Sequence, residues 1–301
     1  MVQDEPTLLE LISQKAGVNP DALARIMRLL ASHDVFTLGG QMVGHTPASR
    51  ILRSDHPTSL RPYAIMFGLP LMWRSAEALQ HSLRTGEAAT PKIFGESYWD
   101  YLGSHPDEAR KFDAAMRAKA HAQVGAVLRA HDFSKYGKIA DVGGGEGHLL
   151  RAILQQTPSV TGVVCDLPHV VDASRAGGDL GGRLEFYGAD FFKDDLPAAD
   201  AYLLMDVLHD WNDEHAQQIL AAIRRAAPPH ARVLIVELVL PEDSAWHWSK
   251  TLDVVMLCLF GGRQRTQDEH LRLLDVSGFK FVRDVPAGGG LTLIDAEVTR
   301  S

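Results

Sequence analysis

IADVGGGEGHLLRAIL, residues 139–154, carries a β-rich run into a cluster of glycines and out into a helical pattern. Gly143, Gly144, Gly145 and Gly147 crowd the turn. Glycine takes positive φ without steric penalty and lets a ligand approach the backbone closely. A glycine-rich turn that ends a strand and opens a helix is where dinucleotide-binding folds receive their cofactor. In the register of G-x-G-x-x-G the third position is His148, so the pattern here is G-x-G-x-G, which suits many nucleotides.

Working outward, KIADV, VTGVVCD, RLEFYGAD, AYLLMDVLHD, ARVLIVELVL, KFVRDV and LTLIDAEV are short β-rich runs. Helical stretches are expected between all of them except the last two, which Gly288-Gly289-Gly290 joins as a hairpin. Alternating strand and helix predicts an α/β fold, a mostly parallel sheet with helices on both faces. The final hairpin adds one antiparallel strand.

Ligands in open α/β sheets bind at the carboxyl ends of the strands. VTGVVCD ends at Asp166, a carboxylate able to accept both hydroxyls of a ribose. RLEFYGAD ends at Asp190, followed by Phe191. An acid beside an aromatic suits an adenine: the acid accepts from the exocyclic amine and the ring packs on the base. Asp166 alone fits a nicotinamide cofactor equally well, whereas Asp190 with Phe191 favours S-adenosylmethionine. Singly, each aspartate also reads as a cap or turn residue. The same residue type at successive strand ends favours the ligand reading.

AYLLMDVLHDWNDEHAQQIL places Asp206, His209, Asp210 and Trp211 at the end of the fourth strand, and Asp213 and Glu214 in the acidic first turn of the next helix. An imidazole titrates near pH 6.5 and a phenol near 10, so a neutral histidine is a sensible base for a phenol that becomes more acidic as it attacks. Such a base needs a group to fix its tautomer. Glu237, at the end of VLIVE, is the expected one. No metal is expected: His209 and His215 lack i, i+4 spacing and no H-E-x-x-H occurs.

Up to about Asp132 the pattern is helical. LLELISQKAG reads as a helix stopping at Gly17, and Asn19-Pro20-Asp21 opens a second with Leu23, Ile26, Met27 and Leu30 at helical spacing. TLGGQMVGHT follows with room for a hairpin at Gly39-Gly40, completing a winged-helix pattern. Residues 57–131 read as further helices rich in aromatics and methionines, including Trp73, Trp99 and Met116. Most of these are helix core, and a minority line an apolar ligand pocket.

With 301 residues, 46% hydrophobic and 23% charged, the chain has ordinary globular composition and length for two domains. A net charge of −8 disfavours a nucleic-acid partner. Over residues 1–60, Lys15, Arg25, Arg28, Arg50 and Arg53 face Asp4, Glu5, Glu10, Asp21, Asp34 and Asp55. That is no DNA-binding balance, and it argues against a winged-helix regulator. Cys165 and Cys258 stand alone in apolar runs, as buried thiols rather than a disulfide, which fits the cytoplasm. MVQDEPTLLELI is not a signal peptide, and VLIVELVL is too short to span a bilayer, so no membrane is expected.

DVGGGEGH, DLPHVV, GADFF, LHDWNDEHA, VELVLP and GGRQRT, in this order, resemble the caffeate-type and bacterial secondary-metabolite O-methyltransferases. Members of that family act on phenols, hydroxyindoles, phenazines and aromatic polyketides. The resemblance covers nearly the whole chain, and LHDW-x-DE followed by GG-x-x-RT is its specific part. It implies a winged-helix domain for dimerisation and substrate lining over residues 1–117. A Rossmann-like S-adenosylmethionine-binding catalytic domain with a seven-stranded sheet is implied over residues 118–301, and the assembly is a homodimer. It implies Gly143 and Gly145 at the methionine moiety, Asp166 on the ribose, Asp190 and Phe191 on the adenine, Trp211 beside the cofactor, and His209 as general base. Met116 falls where the family lines its substrate pocket, and Trp73, Trp99 and Asp253 are expected there too.

The family flanks its histidine with two glutamates. The first maps to Glu237 and the second to Gln264, which can hydrogen-bond the imidazole but brings no charge. A lysine or arginine often stands where this chain has Met205 or Asp206, and the helices that usually precede TLLELISQKAG do not stand ahead of it here. The first departure removes a cofactor contact and the second weakens the expectation of a dimer. Gln264 also keeps open an enzyme that retains the cofactor without transferring methyl, such as a decarboxylase, hydroxylase or cyclase.

Overall fold

The computed structural model describes residues 2–299. Contacts divide the chain into two compact units. One comprises residues up to Phe67 together with Lys111–Lys119, and the other comprises Gly68–Arg110 and the chain from Ala120 onward. By packing, therefore, residues 68–110 go with the larger unit rather than with everything before residue 117.

The smaller unit contains β1 (Thr7–Leu8), α1 (Leu9–Ala16), α2 (Pro20–Ser32), β2 (Phe36–Gly39), β3 (Met42–His45), α3 (Pro47–Arg50) and α4 (Arg61–Phe67). α1 stops at Gly17, which adopts φ 66°. Asn19 Oδ1 accepts the Ala22 N–H at 3.0 Å, with Pro20 at the first helical position. β2 and β3 form the hairpin about Gly40, and β1 pairs with the other edge of β3. Leu9, Ile12, Met27 and Val43 are the core, with Leu23 and Leu30 packed against it. Ile26 is exposed instead, because the inward stripe of α2 runs through Leu23, Met27 and Leu30.

The larger unit begins with α5 (Pro70–Glu77), α6 (Leu79–Thr85), α7 (Thr90–Phe94), α8 (Tyr98–Ser104) and the two ends of α9 (Pro106–Ala130). It continues with β4 (Lys138–Val142), α10 (His148–Gln156), β5 (Thr161–Asp166), α11 (Pro168–Ser174), β6 (Leu184–Gly188), β7 (Ala201–Met205), α12 (Asp213–Ala226), β8 (Arg232–Leu238), α13 (Trp248–Phe260), α14 (Gln267–Val276), β9 (Phe279–Gly288) and β10 (Leu291–Val298). The sheet order is β6-β5-β4-β7-β8-β10-β9. Strands β6 through β8 are parallel, and β10 is antiparallel to both neighbours.

Every expected strand is present, but no helix joins β6 to β7. Residues 189–200 instead turn on Asp190, whose carbonyl accepts the N–H groups of Lys193 and Asp194 at 2.8 Å. Pro197 lacks a donor to continue a helix, and buried Leu196 and Ala199 anchor the crossing.

Alternation along the strands divides the core in two. Ala140, Val142, Val163, Tyr202, Leu204, Val233 and Ile235 face Ile219 and Leu220 of α12 and Leu274 of α14. Ile139, Val164, Leu203, Leu234 and Val236 face Leu150 and Ile153 of α10 and Leu252 and Met256 of α13. From β4 the chain winds first towards β6 and then, from β7, the other way. The crevice at this reversal opens between the loop after β4 and the turn after β7.

Candidate active site

Gly143, Gly145 and Gly147 all adopt positive φ, at 69°, 56° and 72°. A Cβ on Gly147 would lie 2.6 Å from Val164 Cγ2, so this glycine lets the loop pack on β5. A Cβ on Gly145 would meet nothing within 4 Å, so the loop leaves open space there. The Gly145 N–H donates to Asp166 Oδ2 at 2.8 Å and the Leu167 N–H to Oδ1 at 2.7 Å. Burial pushes the Asp166 carboxyl up, and these two donors oppose it. Each oxygen keeps a lone pair, so the carboxylate is held in place and still able to accept two hydroxyls.

The Phe191 ring lies beside the loop, 3.8 Å from the point a Cβ on Gly143 would occupy. It packs edge-on against Phe192 with centroids 4.8 Å apart, and Phe192 packs on Trp211 at 4.7 Å. Asp190 is engaged by its own turn. Its Oδ1 accepts the Phe192 N–H at 3.0 Å and its Oδ2 the Lys193 ammonium at 2.7 Å. Burial works against the Asp190 charge, yet these bonds hold its carboxyl below the usual range. The open loop, the Asp166 carboxylate and the Phe191 ring fit a nucleoside at this end of the crevice.

His209 sits in a 3-10 turn, Leu208–Asp210, directly after β7, and is only 5% exposed. Gln264 Nε2 lies 2.9 Å from its Nδ1. Donor and acceptor at this contact follow the tautomer. With the amide turned so that Oε1, otherwise buried without a hydrogen-bond partner, accepts from Nδ1–H, imidazole Nε2 is the basic nitrogen. Asp210 Oδ1 is 3.4 Å from Nε2, and Asp206 Oδ1 is 3.9 Å from Nδ1.

Glu237 does not take the place expected of it. Its Oε1 accepts the backbone N–H of His209 at 3.0 Å, and its Oε2 faces His270 Nε2 at 3.7 Å. It therefore holds the turn that carries the imidazole, while Gln264 holds the ring. Full burial, opposed by the Arg265 charge and reinforced by Asp206, pushes the Glu237 carboxyl up to about 7. Burial likewise lowers His270 to about 3. Asp253, on α13, is also indirect: its Oδ1 accepts the Gln264 backbone N–H at 2.7 Å.

Sequence reasoning passed over Arg265, which is 0% exposed. Its guanidinium donates to the Leu208 carbonyl at 2.8 Å, the Trp211 carbonyl at 2.9 Å and Asp213 Oδ1 at 2.9 Å. These carbonyls bracket His209 and Asp210. The Arg263 N–H donates to the His209 carbonyl at 2.9 Å. A Cβ on Gly262 would stand 2.3 Å from that same oxygen, so only glycine lets the 262–265 segment lie against the turn. The signal was in GGRQRT, but nothing in it marked the second arginine as buried.

An aromatic group adjoins the turn. Phe260, at the end of α13, packs at a tilt against Tyr98 and Trp99, with ring centroids 4.4 Å and 5.3 Å away. Burial first, and then the Asp210 charge, push the Tyr98 hydroxyl far above its ordinary range. Trp99 thus joins the group, as does Tyr98, which sequence reasoning had not singled out. Trp73 is instead 65% exposed, because α5 buries Leu71, Met72 and Ser75. Met116 lies in the Lys111–Lys119 stretch that packs with the smaller unit.

A mostly parallel sheet with a glycine loop after its first strand and a histidine turn after its fourth defines a nucleoside-binding α/β enzyme of the methyltransferase type. The O-methyltransferase domain model matches residues 76–280, and the chain belongs to this family. It is 40% identical over 300 residues to the phenazine O-methyltransferase PhzM of Lysobacter antibioticus, covering 98% of this chain and 88% of that protein. The crystal structure of LaPhzM superposes with a TM-score of 0.86 at 40% identity, covering 99% of this chain and 90% of the other. NcsB1, an O-methyltransferase from neocarzinostatin biosynthesis solved with S-adenosylmethionine and 2-hydroxy-5-methyl naphthoic acid, gives a TM-score of 0.81 at 31% identity, covering 97% and 89%.

Proposed function

We propose that this protein transfers a methyl group from S-adenosylmethionine to a phenolic hydroxyl of a small aromatic metabolite, with His209 as general base. The observation that carries this reading is the buried His209 imidazole in the turn after β7, its Nδ1 2.9 Å from Gln264 Nε2. When bound, S-adenosylmethionine supplies an electrophilic methyl on a sulfonium sulfur. Gly143 and Gly145 would take the methionine moiety, Asp166 would accept the ribose hydroxyls, and Asp190, Phe191 and Trp211 would frame the adenine. Trp99, which packs with Tyr98 and Phe260, and Asp253 are assigned to the acceptor side. His209 Nε2 receives the hydroxyl proton as the new carbon–oxygen bond forms and the carbon–sulfur pair stays on sulfur. Holding nucleophile, carbon and sulfur in line is the remaining task of the site.

The test is a panel of hydroxylated naphthoic acids and hydroxyphenazines, read by S-adenosylhomocysteine release and product mass. A product heavier by one CH₂ is expected. Consumption of an acceptor without that gain overturns methyl transfer. We place the protein in the cytoplasm, since its two cysteines are free and buried and no helix among the described residues is long and apolar enough to cross a membrane. A homodimer is supported by exposed Leu8, Leu11, Ile26, Leu29 and Met42 on the smaller unit. Sedimentation of the wild type against Leu29→Lys tests it.

A further inference from the structure

Protonating His209 creates a buried cation, and residue 264 is an amide, so the compensating charge must come from elsewhere. Groups on several elements face the ring or the turn that carries it. On its own turn stand Asp206 and Asp210, on β8 Glu237, on the 262–265 segment Gln264 and Arg265, on α14 His270, and on α8 Tyr98. Arg265 carries the wrong sign. Glu237 spends its Oε1 on the His209 backbone and turns its Oε2 to His270. Asp210 lies at Nε2, the nitrogen that the acceptor must reach.

Asp206 lies on the opposite side, with Oδ1 3.9 Å from Nδ1 and a side chain only 15% exposed, so solvent screens its charge little. Its backbone is held at φ 56°, a left-handed conformation that a non-glycine residue adopts at some expense and that aspartate tolerates better than most. The Asp206 N–H donates to the Val236 carbonyl at 3.1 Å, which pins this conformation to β8. A strained, pinned aspartate next to the base is the pattern of a residue kept for its position.

We infer that Asp206 is the positioning residue that supplies the charge partner for the His209 imidazolium, in place of a carboxylate at residue 264. This rests on the reading of His209 as base. It also accounts for an amide at 264: a carboxylate there would bring a second negative charge to Nδ1.

The experiment compares wild type, D206N, D206N/Q264E and H209A. Nuclear magnetic resonance titration of the labelled imidazole reads the His209 pKa in the cofactor-free protein, so no acceptor is needed. D206N is expected to lower that pKa by about one unit or more, the usual effect of losing an opposite charge at this range. D206N/Q264E is expected to restore it. With 1,4-dihydroxy-2-naphthoic acid or a hydroxyphenazine as acceptor, D206N is expected to lower kcat roughly ten- to a hundredfold with S-adenosylmethionine affinity unchanged, and the double variant to recover it. An unshifted His209 pKa in D206N, failure of Q264E to rescue, or a loss confined to cofactor affinity overturns the inference. If H209A turns over like wild type, it is the base reading that fails. If H209A is slow while D206N is not, only the Asp206 assignment does.

Discussion

Glu237 reaches the backbone of His209 and not its ring: Oε1 accepts the His209 N–H at 3.0 Å, from a side chain that is fully buried. A buried N–H left without an acceptor costs about 1–3 kcal/mol, so this bond holds the catalytic turn against β8. The charge on Glu237 is not needed for it, since a neutral carboxyl or an amide oxygen accepts equally.

Stability should therefore fall as pH rises towards neutrality. The Glu237 carboxyl stands at about 7 in the fold against 4.5 in the unfolded chain, and Asp141 at about 7 against 3.8, both through burial first. Between about pH 4 and 7 the folded state binds more protons than the unfolded one, so this contribution is full below the unfolded values and is lost as pH passes the folded ones. Glu237→Gln removes the charged form while keeping an acceptor for His209 N–H. Its melting temperature should exceed that of wild type at pH 8 and match it near pH 4.5. Equal curves at pH 8 would show that Glu237 is ionised in the fold without penalty.

His209→Ala should lower kcat by about 10²–10⁴, the usual worth of a general base. Cofactor affinity should barely change, because the imidazole is tied to Gln264 and to the carboxylates of its own turn rather than to the glycine loop. Calorimetry with S-adenosylmethionine and single-turnover kinetics separate the two effects. A lost cofactor affinity with an unchanged chemical step would move His209 out of the base role.

Asp166→Asn should weaken S-adenosylmethionine by about tenfold or more, through loss of a charge-assisted bond to a ribose hydroxyl. The remaining oxygen can still accept one of the two N–H groups that Asp166 now gathers from Gly145 and Leu167. Asp166→Ala should be worse, because it also frees the loop. Indistinguishable affinities for wild type and both variants would take Asp166 out of the cofactor site.

The sheet was legible in the sequence because strand runs and strand-end residues recur in order, and Gly143, Asp166 and His209 could be placed from that order alone. What the order did not carry was which atom each side chain serves. Glu237 belongs near His209 by spacing, but whether it meets ring or backbone depends on how a 3-10 turn leaves β7. Nothing in the spacing announced that Asp253 accepts the Gln264 N–H. Trp73 and Trp99 are the same residue type in the same helical stretch, yet one is exposed and the other packs against Phe260. The missing helix between β6 and β7 was hidden because its turn-forming aspartates are also ordinary helix-capping residues.

Arg265 gives the remaining prediction. Its fork binds the carbonyls on both sides of His209 and Asp210 and ties them to Asp213 at the start of α12. Arg265→Met fills much of the same volume but leaves two carbonyls without donors in a dry interior, a loss of about 2–4 kcal/mol of stability. The turn would then be free to shift, and a displacement of the base by a fraction of an ångström is enough to lower the rate of an aligned transfer. The expected result is a kcat lower by about a hundredfold, with S-adenosylmethionine affinity kept, since Arg265 bonds to Leu208, Trp211 and Asp213 of the histidine turn and α12. Arg265→Lys should recover stability better than rate, because one ammonium on a flexible stem replaces the charge but not the planar fork that meets both carbonyls. Rates and melting temperatures of the two variants, measured together, decide the point. If Lys restores kcat as fully as it restores stability, the guanidinium is only packing and charge, and the turn is held by Glu237 and Arg263 alone.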